Sequence, residues 1–258
     1  MKFRFPILLI VVALGVSFAS AALAEMSAFE IAKKSVELEK SKTRVASYRM
    51  SVINERGKSR VYAFKVLEKD FSGGSKKMIR FSEPSDANGT GLLTFEKKGA
   101  DDQQWLFLPS RKSVRQLAAA DKSDQFMGSD LFVEDMGTIS AEDYEHTILK
   151  EEDVDGFPCW VVESKPKPGI STAYARSVFY IDKQNFAGRK AELYDKSGKL
   201  IKHIHATSVE KVGEWWTIKT LEVQTPDKKT KTQLELTSVE YNKDIPDNTF
   251  TTQSLERY

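Results

Sequence analysis

The chain has 258 residues, 40% of them hydrophobic and 29% charged, with a formal net charge of +2 and a single cysteine. So balanced a charge excludes blanket attraction to nucleic acid or to an anionic membrane face, both of which need a positive surplus. One cysteine excludes an internal disulfide, so stability must come from burial alone.

The N-terminus reads as an export signal. Lys2 and Arg4 precede an apolar run from Ile7 to Phe18, and Ala22-Leu23-Ala24 is a small-residue cleavage pattern before Glu25. The apolar run is shorter than the roughly 20 residues a membrane span needs. Cleavage after Ala24 is expected to release an exported mature protein, and no cysteine follows the cut to carry a lipid, so a soluble chain is expected. Loss of Lys2 and Arg4 brings the 39 Lys and Arg to 37, against 37 Asp and Glu, over the 234 residues that remain. That length suits one large all-β domain or two small ones; residues 25–258 are read as one.

Ser27-x-x-Glu30 is a capping-box pattern, and Phe29, Ala32 and Val36 recur at helical spacing, which predicts an amphipathic helix over 28–40. Its apolar stripe is narrow and its polar face mixed in sign, so it is expected to pack on the domain rather than on a membrane.

Strands follow. Runs rich in Val, Ile, Phe, Tyr and Thr occupy 48–54, 60–68, 76–81, 91–97, 104–108 and 112–117, and after a loop 144–151, 159–165, 175–181, 188–194, 200–206, 215–223 and 232–239. Hairpin-like turns such as 72–75 and 195–198 make an antiparallel meander the expected outcome. In 60–68, Val61, Ala63 and Leu67 share one face and Tyr62, Phe64 and Val66 the other, so the strand must be covered twice. A large curved sheet that closes on itself to remove its edges, with the helix against its concave side and a slot between, meets that need. A sandwich with a filled core explains the same alternation.

Little in the chain suits catalysis. His203 and His205 share a strand face, but no third ligand stands at a usual spacing from them or from His146, so no metal and no cofactor is expected. Cys159, between Pro158 and Trp160, reads as inert packing. No nucleophile elbow, zinc-protease motif or phosphate loop occurs. Binding, not enzymatic turnover, is the expected class.

Residues 121–155 are strongly acidic, yet they include Phe126, Met127, Leu131, Phe132, Val133 and Met136, which must be covered by something. The stretch Trp105-Leu-Phe-Leu-Pro109, then Arg111 and Arg115, Phe126-Met-Gly-Ser-Asp130 and Glu134-Asp135, resembles the signature of the outer-membrane lipoprotein-sorting, or LolA-like, family. Arg80-Phe81, Pro84, Gly91, Trp160, the Lys190-x-Glu192-x-Tyr194 hairpin, Phe250 and Leu255 are similar to it too. The resemblance implies a β half-barrel covered by helices, enclosing an apolar cavity for acyl chains in the periplasm. It also implies a partner among inner-membrane exporters of the resistance-nodulation-division or related lipid-transporting type. Only the N-terminal helix is convincing here, so the cover must come largely from the loop 118–143.

The expected function is therefore a monomeric, non-catalytic carrier of a lipid or lipidated protein that touches membranes only transiently. Phe126, Met127, Leu131 and Phe132 are expected to form a flap over a slot lined by Tyr62, Phe81, Trp105 and Phe107. Strand alternation puts Arg111 and Arg115 on one face, where they would meet a lipid headgroup or pair with Asp130 and Glu134, the internal pairing being preferred. The other reading is an envelope adaptor with a filled core that docks through its acidic loop.

Overall fold

The computed structural model describes residues 26–97, 102–137 and 139–257; the expected export signal at 1–24 lies outside the described residues. Helix α1 spans Ala28–Val36, and its capping box forms as expected: the Glu30 amide donates to the Ser27 hydroxyl and the Ser27 amide to the Glu30 carboxylate. The helix stops short of 40. Glu39 instead accepts from the Ile218 amide at 3.1 Å and pairs with Arg44 at 2.8 Å, so tertiary contacts take the segment that helical periodicity would have extended.

Thirteen strands are described: β1 (Thr43–Ile53), β2 (Ser59–Phe71), β3 (Gly74–Glu83), β4 (Gly91–Phe95), β5 (Gln103–Leu108), β6 (Ser113–Gln116), β7 (Tyr144–Val154), β8 (Phe157–Pro166), β9 (Arg176–Asp182), β10 (Gly188–Tyr194), β11 (Leu200–Val212), β12 (Trp215–Thr225) and β13 (Thr230–Tyr241). All lie in one sheet of order β6-β5-β4-β3-β2-β1-β13-β12-β11-β10-β9-β8-β7. Each predicted strand is present, several with longer ends. The first and last strands pair with each other, so the meander is continuous except at one place.

There the sheet stays open, the half-barrel that the resemblance implies and not a sheet closed on itself. β6 and β7, consecutive in the chain, are the two edges, and the long connection between them crosses one face instead of pairing. Within this connection, residues 126–135 touch β3 through Phe81, β13 through Thr232 and β11 through Lys202. Strands so far apart in the order reach one short loop only if the sheet curls around it. The face toward the loop is therefore the concave, inner one.

Side-chain alternation assigns the rest. Ala46, Met50, Tyr62, Phe64, Val66, Ile79, Phe81, Leu92, Val223 and Leu236 point inward and form a cluster with Phe126, Leu131 and Val133. Helix α1 covers the other end of the inner face, where Ile31 packs on Val162 and Ile181. The outer face of β1 to β5 is covered as well. Val45, Met78, Leu93 and Phe107 pack against Ile245, Phe250 and Leu255 of a C-terminal strap that ends in the short helix α2 (Thr252–Glu256). Gly91 is small for a reason: a Cβ there would lie 2.6 Å from Leu255 Cδ1.

Candidate functional site

The loop on the inner face is shaped by a tight reversal. Met127 and Gly128 both adopt positive φ, 53° and 71°, and the Phe126 amide donates to the Leu131 carbonyl at 2.8 Å. The Ser129 hydroxyl ties the turn by donating to the Phe126 carbonyl at 2.6 Å. Phe126 and Leu131 consequently point the same way, into the sheet, and are 3% and 4% exposed. Phe126 meets Phe81 at a ring separation of 5.6 Å, Phe81 meets Tyr62 at 5.8 Å, and the Tyr62 hydroxyl donates to the Met127 carbonyl at 3.0 Å.

Buried polar groups pin the loop. Asp130 accepts from the Thr232 hydroxyl at 2.8 Å and from the Thr230 hydroxyl, while its own amide donates back to Thr232 at 2.9 Å. Glu134 accepts from the Thr172 hydroxyl at 2.8 Å and the Ala173 amide at 3.1 Å; burial nevertheless raises its carboxyl above the usual range. Asp135 accepts from the Tyr174 hydroxyl at 2.8 Å and from the ammonium of Lys202, a lysine 1% exposed whose pKa burial lowers. That ammonium sits 3.9 Å above the Phe132 ring, and Phe132 stacks on Tyr174 at 5.8 Å.

Of the expected site residues, the structure brings Tyr62, Phe81, Phe126 and Leu131 into one cluster, with Met127 packed against it and Phe132 in the adjoining cluster of Tyr174. Trp105 and Phe107 do not join them. In β5 they stand opposite Leu93 and Gly91, on the outer face, where Trp105 meets Phe95 and Phe107 packs under the C-terminal strap. The inward residues of this strand are Gln104, Leu106 and Leu108.

The arginine expectation also changes. Arg111 lies in a 3-10 turn, Pro109–Arg111, and the left-handed Lys112 that follows breaks the alternation on which a shared face depended. Arg115 pairs with Asp121 at 3.1 Å, so neither arginine pairs with Asp130 or Glu134, whose partners are threonines and backbone.

The hollow beneath the loop holds about 150 Å³, lined by Leu92, Leu106, Leu117, Phe126, Met127 and Val133 together with Arg115 and Asp121. Small-molecule sites run to about 300–1,000 Å³, so the loop itself is the main occupant of the concave side. Next to it, Gln104 donates to Thr94 at 3.3 Å and Val133 at 3.5 Å, and its carbonyl oxygen is buried without a partner. A larger space, about 860 Å³, opens on the outer face between β1 to β3 and the C-terminal strap.

Lys202, Tyr174, Thr230 and Thr232 were not singled out from the sequence. Lys202 left a trace: it alternates with Ile204 and Ala206, a charge inside an inward apolar row. The histidines make local contacts, His146 with Ser164 at 2.8 Å and His205 with Asp155 at 2.5 Å. Among the described residues, no group of three or more His, Cys, Asp or Glu is placed to hold a metal, and no helix is long and apolar enough to cross a membrane.

A family model described as an uncharacterized-protein-like family matches residues 73–257. A DUF1329 family protein from Desulfovibrio piger shares 28% identity and a TM-score of 0.85, over 88% of this chain and 97% of its own. A domain assigned to outer-membrane lipoprotein sorting, from Vibrio parahaemolyticus, shares 26% identity and a TM-score of 0.84, over 89% and 98%. A LolA superfamily protein from Nitrosomonas europaea, 19% identical with a TM-score of 0.74 over 89% and 100%, has the same fold. No curated protein matches the chain.

Proposed function

Because the chain belongs to this uncharacterized-protein-like family and has the LolA-like fold of lipoprotein-sorting proteins, we propose that it is an exported, periplasmic, non-catalytic carrier or chaperone for acyl chains. The cargo is a lipid or a lipidated protein, held against the inner face of the sheet after the 118–143 loop swings out. The chain works as a monomer, meets membranes only in passing, and exchanges cargo with an inner-membrane transporter of the resistance-nodulation-division type.

One observation carries this reading: the concave face is filled by a loop that joins the two edge strands, the one place where the sheet has no further neighbour. Moving residues 118–143 breaks no pairing between the named strands. Each buried methylene is worth about 0.8 kcal/mol, so a 16-carbon chain gains roughly 12 kcal/mol on burial. Exposing Phe126, Leu131 and Val133 costs about 1.5–3 kcal/mol each by the same scale, and the polar anchors add to that. Cargo and loop are thus of comparable strength, which keeps release within the few kcal/mol that shift a two-state equilibrium.

A second reading, an envelope adaptor with a filled core that docks through its acidic loop, draws on the small volume left under the loop. Solvent extraction of the purified protein followed by mass spectrometry, together with titration of a fluorescent fatty acyl probe, separates the two. Co-purified lipid or saturable probe binding supports the carrier; absence of both overturns it in favour of the adaptor.

A further inference from the structure

The open space of about 860 Å³ on the outer face is not the hollow of the carrier reading, and its lining differs in kind. Arg49, Lys65, Arg80 and Arg257 line it, and among the described residues no carboxylate does. Its floor is apolar, with Leu67 opposite Met78 in the β2–β3 pair. The C-terminal strap forms one wall, anchored where Arg80 donates to the carbonyls of Leu255 at 2.7 Å and Ser254 at 3.0 Å.

The charges are placed at a cost that folding does not require. Lys65 stands directly across from Arg80 in the β2–β3 register, and like charges at opposed sheet positions repel. Arg80 is committed to the strap, but the exposed side chains of Arg49, Lys65 and Arg257 make no ion pair among the described residues. Glu235 is the cross-strand neighbour of Arg49, yet the two do not come within ion-pairing distance. Elsewhere the sheet pairs its charges: Lys190 with Glu192, Lys231 with Glu222, Arg176 with Glu163. In a chain with so small a net charge, three exposed cations, Arg49, Lys65 and Arg257, in one pocket whose lining among the described residues holds no acid are a local concentration of positive potential rather than a general surface property.

We propose that this groove binds the phosphate headgroup of an anionic phospholipid, with Arg49, Lys65 and Arg257 on the phosphate and the adjoining hydrocarbon on the half-buried Leu67. Arginine and lysine donate charge-assisted hydrogen bonds to phosphate oxygens, and the volume falls within the range of small-ligand sites, about 300–1,000 Å³. The apolar floor favours an amphiphile over a free anion, and the strap wall favours a single headgroup over an extended acidic chain. The choice of a lipid rests on the carrier reading; the site does not, since it lies on the opposite face of the sheet.

The test is calorimetric titration of the full chain with dihexanoyl phosphatidic acid, dihexanoylglycerol, inorganic phosphate and hexaglutamate. Phosphatidic acid is expected to bind, and the double variant Arg49→Gln/Lys65→Gln to bind it at least ten-fold more weakly. The exposed double variant Lys196→Gln/Lys211→Gln, which removes the same charge elsewhere, is expected to bind it as the parent does. Equal binding by the groove variant overturns the proposal, as does equal binding of dihexanoylglycerol or of inorganic phosphate. Hexaglutamate binding as tightly as phosphatidic acid overturns it in favour of an acidic protein partner. Loss of fatty acyl probe binding with retention of Arg49- and Lys65-dependent phosphatidic acid binding defeats the carrier reading and leaves the groove standing.

Discussion

Lys202 of β11 and Asp135 of the inner loop form an ion pair in which the lysine side chain is 1% exposed. The ammonium also donates to the Tyr174 hydroxyl and lies over the Phe132 ring, so its charge is compensated from three sides. Removing one member of such a pair strands the other. Asp135→Ala is expected to cost about 3–5 kcal/mol in denaturant unfolding, because a desolvated ammonium loses its counter-ion. Lys202→Met with Asp135→Leu removes both charges and should be less damaging, the remaining loss coming from the Tyr174 hydroxyl and the Phe132 amide, which lose Asp135 as acceptor. A single variant no less stable than the parent would show that the pair does not anchor the loop.

The loop is held at its other end by Thr232 rather than by arginine. Thr232→Val keeps the shape but deprives Asp130 of a donor and an acceptor, an expected loss of about 1–3 kcal/mol. Arg115→Ala removes a pair whose arginine side chain is 57% exposed, and such surface pairs contribute little because solvent and salt screen them. Hydrogen exchange over 126–135 should therefore rise in the threonine variant and stay near the parent in the arginine one.

If the loop and cargo compete for the same apolar face, weakening the loop must strengthen the cargo. Leu131→Ala is expected to lower stability by about 2–5 kcal/mol and at the same time to tighten fatty acyl probe binding. Weaker binding by a folded Leu131→Ala protein would mean that Leu131 contacts cargo or that the loop does not move aside.

Acid should loosen α1 before the sheet. The Lys33 ammonium donates to Glu142 at 2.6 Å and, with further hydrogen bonds, holds that carboxyl down at about 2 against an ordinary 4.5. A carboxyl depressed in the folded state contributes stability that is complete above the ordinary value and is lost as pH falls toward 2. Both side chains are well exposed, 39% and 53%, so the effect is small and screened by salt. Amide exchange in α1, corrected for intrinsic rates, should speed up a few-fold between pH 5 and 2 in the parent and by less in Glu142→Gln, where protonation of Glu30 in the capping box still acts.

Cys159 is fully buried, and burial pushes its thiol up to about 11. Alkylation by iodoacetamide at pH 8 is expected to proceed only at the rate of unfolding, as the thiolate is the reactive form. Rapid labelling of the native chain would show an opening in β8 that the structure does not contain.

Much of this was legible along the chain because strand structure is a local signal. The predicted run 188–194 coincides with β10, and Ser27 with Glu30 marked the start of α1, since alternation and capping depend only on near neighbours. The apolar residues of the acidic loop announced that they needed cover, and Phe126 and Leu131 found it. Where inference failed, it needed a register or a backbone angle. Trp105 and Phe107 were placed on the wrong face because periodicity says which residues alternate but not which row faces in. Arg111 and Arg115 do not share a face, because the left-handed Lys112 between them interrupts the alternation that a continuous strand would give.

By itself, then, the sequence determined the meander of antiparallel strands, the capped helix and the presence of an apolar segment within an acidic loop, all properties of residues close together in the chain. Only the tertiary structure decided that the sheet stays open between β6 and β7, that this loop fills the concavity, and that Arg49, Lys65, Arg80 and Arg257 converge on the outer groove. Those outcomes depend on strand register and sheet curvature, which bring together groups up to about 200 residues apart whose attraction or repulsion has no signature in local pattern.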